Sequence, residues 1–162
     1  MLDVYVDINY CGGVSSQKTL PYETTILVRD CCLCLHVQRA ARALGRRFDE
    51  ALRPFDLTNG QFSLLMALNR PEPPPMGPVA NLLAMDRTTL TAALKPLERR
   101  GLVKIAQDPM DRRSRVVSLT AKGHSLMLNA LPVWERMHDE VEQLVPGGDP
   151  GTLRKGLRAL SV

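Results

Sequence analysis

The sequence predicts a mainly α-helical fold with one small β-hairpin. Three observations point there. Through most of the 162 residues, apolar side chains recur at intervals of three and four, the spacing of one helix face. Two short runs, LVKIA at 102–106 and RVVSL at 115–119, are instead β-prone and bracket a turn-rich segment. Aromatic residues make up 4% of the chain, so aliphatic helix packing outweighs aromatic-rich strands.

Residues 1–23 show no sustained periodicity and contain Gly12, Gly13, Ser15, Ser16 and Pro21; they read as a flexible N-terminal arm. A long helix follows from about Thr25. Leu33, Val37, Ala41, Leu44, Phe48 and Leu52 line one stripe of it, and it must stop before Pro54. Thr58 and Gln61 have capping-box spacing for the next helix, whose apolar face is expected from Phe62, Leu65, Met66 and Leu68. PEPPPM at 71–76 is a stiff, extended connector. A short helix near Pro78–Leu83 and another opening at Arg87 behind the cap Asp86 come next; Gly101 ends the second and Pro96 is expected to bend it. The hairpin has DPMDRRS at its tip. Thr120 then caps a long helix, kinked at Pro132, with a seam of Leu126, Ala130, Val133, Met137, Val141 and Leu144. After PGGDP, Asp149 caps a last helix edged by Leu153, Leu157 and Leu160.

Composition excludes several classes. No apolar run approaches the roughly 18–20 residues of a membrane span. The start, MLDVYVDINYCGG, lacks the cationic region and apolar stretch of a secretory signal. Cys11, Cys31, Cys32 and Cys34 crowd one end and make no disulfide framework, so a reducing cytoplasm is expected. His36, His124 and His138 are widely spaced and form no metal motif; no metal and no cofactor are expected. No Ser/His/Asp set, phosphate-cradling glycine loop or paired acids support catalysis, and no general base adjoins Cys34, which weighs against a thiol enzyme.

Charge placement is more informative than its total. The chain carries +4, but residues 87–115 hold eight basic side chains against three acidic, leaving −1 for the remainder. A helix-sized segment with the whole positive excess is the footprint of a polyanion-binding surface. Residues 78–101 suit a helix-turn-helix: a short apolar helix braces a second one that opens with small hydroxyl and basic side chains. Thr88, Thr89 and Thr91 are short enough to approach base edges and phosphates, and Arg87 and Lys95 can reach phosphates or guanine edges. Arg112 and Arg113 stand at the hairpin tip, suited to a narrow minor groove, with Asp111 placed to orient one of them by a charge-assisted hydrogen bond. The order is that of a winged helix-turn-helix with extra helices at both ends. Those end helices carry apolar stripes that one small unit cannot cover, and a second copy of the chain would cover them.

Three segments carry a family resemblance: LTNGQFSLLMAL at 57–68, MDRTTLTAALKPLERRGLV at 85–103, and DPMDRRSRVVSLTAKG at 108–123. With them, residues 33–145 resemble the MarR family of bacterial regulators. The resemblance implies a homodimer with helices from both chain ends at its interface, bound to pseudo-palindromic double-stranded promoter DNA. It also implies repression relieved by a small molecule or an oxidant. The recognition-helix start maps onto Arg87–Thr91 and the wing arginine onto Arg113; Pro96 and the PEPPP connector depart from the pattern. The expected organisation is an arm at 1–23, an N-terminal dimerisation helix at 24–54, a winged helix-turn-helix at 55–120 and C-terminal dimerisation helices at 121–162. The competing expectation is a winged helix used for protein contacts or non-specific DNA architecture, with purely salt-driven affinity.

CCLC at 31–34 is the most unusual local feature. On a continuous helix Cys31 and Cys34 share a face while Cys32 points away. The position of Cys34 resembles the peroxidatic cysteine of the family's hydroperoxide-sensing branch, but Phe48 and Asn59 stand where that branch has tyrosines. Redox sensing through Cys34 and Cys31, soft-metal binding and plain packing all stay open. Arg29 and Arg39 are expected to favour the thiolate. For a small aromatic effector, Trp134 and His138 are candidate pocket residues, with Arg39 or Arg42 to hold a carboxylate.

Overall fold

The computed structural model describes residues 19–161. Its elements are α1 (Tyr22–Cys31), α2 (Leu33–Leu52), a 3-10 turn (Arg53–Phe55), α3 (Asn59–Leu68), α4 (Met76–Leu82), α5 (Arg87–Arg99), β1 (Val103–Gln107), β2 (Arg115–Leu119), α6 (Ala121–Glu142), a second 3-10 turn (Pro146–Gly148) and α7 (Pro150–Ala159). The chain divides into two compact units between Arg39 and Ala40. Most of the expected arm, residues 1–18 with Cys11, lies outside the described residues.

In the first unit the helix begins earlier than expected, at Tyr22, with Pro21 extended before it. It is not continuous. Cys32 leaves the helical region at ψ 103°, its own N–H still reaching the Val28 carbonyl. The cysteine sulfur then accepts the amide of Leu35 at 3.5 Å, as a serine hydroxyl does at a helix start, so Cys32 closes α1 and caps α2. The proposed shared face of Cys31 and Cys34 is lost with the break.

The second unit holds the core. Leu52, Leu57, Phe62, Leu65, Val79, Leu90, Leu94, Leu97, Leu102 and Val117 are buried together; each such apolar side chain contributes about 1.5–3 kcal/mol. The α3 capping box is formed as expected, with Thr58 Oγ1 accepting from the Gln61 amide and Gln61 Oε1 from the Thr58 amide. The face of α3 differs from expectation. Leu64 and Ala67 are buried as well, whereas Met66 is 41% exposed, because α3 is enclosed on nearly every side. Both α5 and α6 run unbroken through Pro96 and Pro132. Of the expected α6 seam, Leu126 and Ala130 are already used within the chain, packed on the core beside Met127 and Trp134.

β1 and β2 pair antiparallel from Val103↔Leu119 to Gln107↔Arg115. The PEPPP connector joins them as a third line of chain: Pro75 bridges Val116, and the Val117 amide donates to the Pro74 carbonyl at 3.1 Å. Proline offers a carbonyl but no N–H, which restricts it to such an edge. Among the described residues no helix is long and apolar enough to cross a membrane.

Candidate nucleic-acid interface

The turn between α4 and α5 is tight. Met85 donates its amide to the Ala80 carbonyl at 2.9 Å, and Ala84 takes a left-handed φ of 50°. Asp86 then caps α5, accepting the Thr89 amide at 2.8 Å and the Thr89 hydroxyl at 2.7 Å. These two bonds, the backbone one foremost, hold the Asp86 carboxyl below its ordinary range. With Leu90, Leu94 and Leu97 fully buried beneath the helix, Arg87, Thr88, Thr91 and Lys95 are left exposed in water.

The sequence treated the three threonines alike; the structure separates them. Thr89 spends its hydroxyl hydrogen on the cap, and Thr91 donates to the Arg87 carbonyl at 2.7 Å. Thr88 keeps a hydroxyl with no partner among the described residues. Arg87 lies beside the start of α4, its Nη2 3.8 Å from where a Cβ on Gly77 would stand. No ion pair involves Arg87, Lys95, Arg112 or Arg113 among the described residues, so their charge is available to an outside anion.

The wing is fixed to the end of α5. Gly101, at φ 70°, turns the chain, and the Leu102 amide returns to the Leu97 carbonyl at 2.9 Å. Thr120 Oγ1 donates to the Gly101 carbonyl at 2.7 Å and accepts the Gly123 amide at 3.0 Å. A Cβ on Gly123 would stand 2.1 Å from the Leu102 carbonyl oxygen, so only glycine lets α6 approach this junction. Lys122 Nζ covers the Arg100 carbonyl at 2.8 Å, where the α5 dipole is negative. Arg100 reaches back 44 residues to the Asp56 carbonyl at 2.5 Å, with Asp56 Oδ2 at 3.5 Å. Sequence reasoning missed Arg100 and Lys122 as anchors, since partners so distant leave no local signal.

At the tip, Asp111 does not take the expected role. Its carboxylate accepts the backbone amide of Arg113 at 2.9 Å, not a guanidinium, and its carbonyl accepts the Ser114 amide at 2.8 Å. Asp111 therefore sets the turn and leaves both arginine heads free.

The expected effector residues are only partly brought together. A cavity of about 340 Å³ is lined by Phe62, Ser63, Met66, Ala67, Leu82, Leu83 and Trp134. Trp134 stacks between Phe62 at 6.0 Å and His138 at 4.7 Å between ring centroids. His138 thus backs the wall, contrary to the expectation that it lines the pocket, and its Nε2 lies 3.0 Å from Glu142. Arg154 bonds Glu142 too, and that bond is the main reason the Glu142 carboxyl sits below its ordinary range. Arg42 is not among the cavity's lining residues, and Arg39 belongs to the first unit. Sequence reasoning missed Phe62, Met66 and Leu82 as cavity residues. Around the cysteines, Arg29 forks onto Asp30 at 2.6 and 2.8 Å instead of facing a thiol. Cys31 and Cys34 are exposed, and Gln38 donates to the Cys34 sulfur at 3.1 Å.

Comparison with known proteins bears on the family and the fold. The family model described as MarR family matches residues 57–114. The transcriptional regulator TtmR of Methylorubrum extorquens is 37% identical over 97 residues, 60% of this chain; the chain spans half the length of that relative. Among solved structures, the M. tuberculosis regulator MosR in complex with DNA is 37% identical, with a TM-score of 0.73 over 80% of this chain and 93% of that one. The repressor CouR of Rhodococcus jostii, bound to a 23-mer duplex, is 27% identical with a TM-score of 0.73 over 83% and 96%.

Proposed function

The chain belongs to the MarR family, and from that premise we propose that it is a cytoplasmic, sequence-specific, DNA-binding transcription regulator, a repressor acting as a homodimer. One observation carries this: a capped helix with Arg87, Thr88 and Lys95 free in water is locked, through Gly101, Leu102 and Thr120, to a hairpin with two unpaired arginines at its tip. Such a unit suits a duplex, with the helix in a major groove and the wing on the adjoining minor groove. The dimer is supported by apolar side chains left uncovered: Leu33, Val37 and Leu44 on α2, and Leu153 and Leu157 on α7 with Leu160 at its C-cap, are all at least 37% exposed. A twofold pair of such units calls for a pseudo-palindromic operator.

The effector reading rests on the cavity beside Trp134. A flat, largely apolar molecule seated there would press on Leu82 and Leu83 at the end of α4, the helix that braces α5. The thiol alternative rests on exposed Cys34 and is separated by peroxide treatment: operator release in wild type but not in Cys34→Ser would favour it.

The primary test is Arg113→Ala, measured against duplexes selected from a random pool at several salt concentrations. Affinity should fall for all sequences alike, and the salt slope should drop by about one. Thr88→Ala should instead alter which sequence is preferred. An Arg113→Ala protein with unchanged affinity and salt slope would remove the wing from the interface. A wild-type protein that selects no sequence would favour the architectural alternative.

A further inference from the structure

We infer that Met110 is an apolar wedge that the wing carries into the DNA minor groove, a specificity-determining residue beside the two arginines. The inference rests on the DNA-reading function proposed above and adds a contact that cationic side chains do not make.

Met110 is 94% exposed, the highest value for a large hydrophobic side chain among the described residues. The uncovered leucines on α2 and α7 form stripes, and Met66 and Leu82 border or line the Trp134 cavity; Met110 belongs to neither group. It stands alone near the apex of the wing loop, between the turn-forming Asp108 and Asp111 and just before Arg112 and Arg113, and the fold of this chain leaves it almost wholly uncovered. A single exposed methionine on a mobile loop would need no explanation. This one is held in place.

Beyond the last strand pair, Gln107↔Arg115, the Asp108 amide donates to the Ser114 carbonyl at 3.1 Å. Asp108 Oδ1 accepts the Met110 amide itself at 2.8 Å, and Pro109 fixes the intervening backbone angle. On the far side, Asp111 Oδ1 accepts the Arg113 amide and Gln107 Nε2 donates to the Arg112 carbonyl at 2.6 Å. The backbone on both flanks of Met110 is therefore set before any ligand arrives, which lowers the entropy cost of using the side chain for recognition.

The surroundings define the ligand. Two unpaired guanidinium groups next to an exposed thioether suit a surface that is anionic outside and apolar within. A minor groove is that surface: phosphates line its rims, and sugar C–H groups and base edges form its walls. Methionine is unbranched, narrow and adaptable, and apolar side chains of this kind are used as groove wedges. A guanine amino group projects into the minor groove floor and would obstruct it, so Met110 should favour A·T pairs beneath the wing.

The test uses the full chain and an operator selected with wild type. Met110→Ala and Met110→Gln should each weaken binding about 10-fold with no change in salt slope, since no phosphate contact is lost. Met110→Leu should stay within a few-fold of wild type. Replacing A·T by G·C at the wing position should weaken wild type more than Met110→Ala, and inosine·C, which lacks the amino group, should restore wild-type binding. All variants should unfold at the wild-type temperature, since the side chain is almost wholly exposed. If Met110→Ala and Met110→Gln bind as tightly as wild type while Arg113→Ala does not, the wedge is refuted and the DNA-reading function survives. If Arg113→Ala also binds unchanged, the wing assignment itself fails.

Discussion

Helices α5 and α7 are built to the same local plan and differ in whether this chain covers them. Each begins with an aspartate whose carboxylate accepts the amide three residues on: Asp86 from Thr89 at 2.8 Å, and Asp149 from Thr152 at 3.0 Å. Each carries a leucine edge at intervals of three and four. In α5 the leucines at 90, 94 and 97 are wholly buried; in α7, Leu153 and Leu157, with Leu160 at the C-cap, are 41–61% exposed. Local chemistry specifies the helix and the side it will bury. It does not say whether the same chain supplies the covering surface.

The sharpest test of that contrast pairs two truncations. Leu94→Ala should destabilise the chain by about 2–5 kcal/mol at any protein concentration, read from the urea midpoint. Leu157→Ala should leave the dilute chain within about 0.5 kcal/mol of wild type but weaken self-association in sedimentation equilibrium. Equal, concentration-independent losses would erase the distinction between the two helices.

Gly123→Ala comes next. A methyl group that close to the Leu102 carbonyl forces the α6 start away from the wing, and a loss of about 1–3 kcal/mol in chemical denaturation is expected. Operator affinity should fall with it, because the wing root shares that junction.

The two caps should respond to acid in parallel. Both carboxyls are held below their ordinary range, Asp86 chiefly by the Thr89 backbone bond and Asp149 chiefly by the Thr152 hydroxyl. A depressed folded-state pKa means the cap contributes fully above the unfolded value of about 3.9 and is lost as pH falls through the folded one. Carboxyl NMR titration should place both midpoints below that value. Asp86→Asn should retain the cap and lose its acid sensitivity; a normal midpoint for Asp86 would contradict the bonding described. The smallest effect is expected from Ala84→Gly, which relieves the left-handed residue of the α4–α5 turn. The net gain should be about 0.5–1 kcal/mol, checked by thermal melting.

Much of the fold was legible because its signals are local. Thr58, Asp86, Thr120 and Asp149 act on amides three residues away, and the hairpin announces itself by its β-prone runs and the turn residues between them. What was missed has other causes. The break at Cys32 contains no proline or glycine and depends on a sulfur acting as a cap. Periodicity places Met66 in the core, because it cannot choose a face on a helix enclosed as α3 is. The anchors Arg100 and Lys122 join positions 44 and 22 residues apart. The candidate site was legible as a set of residue types, Arg87 through Arg113. Which hydroxyls remain free, and which groups Asp111 holds, depends on side-chain geometry that the order of residues leaves undetermined.

By lying along β2 with carbonyls in place of amides, Pro74 and Pro75 occupy the flank where a foreign strand would dock and give it no N–H to grip there. That side of the small sheet is sealed against runaway strand addition, a useful safeguard for a ribbon that must project into water with its tip bare.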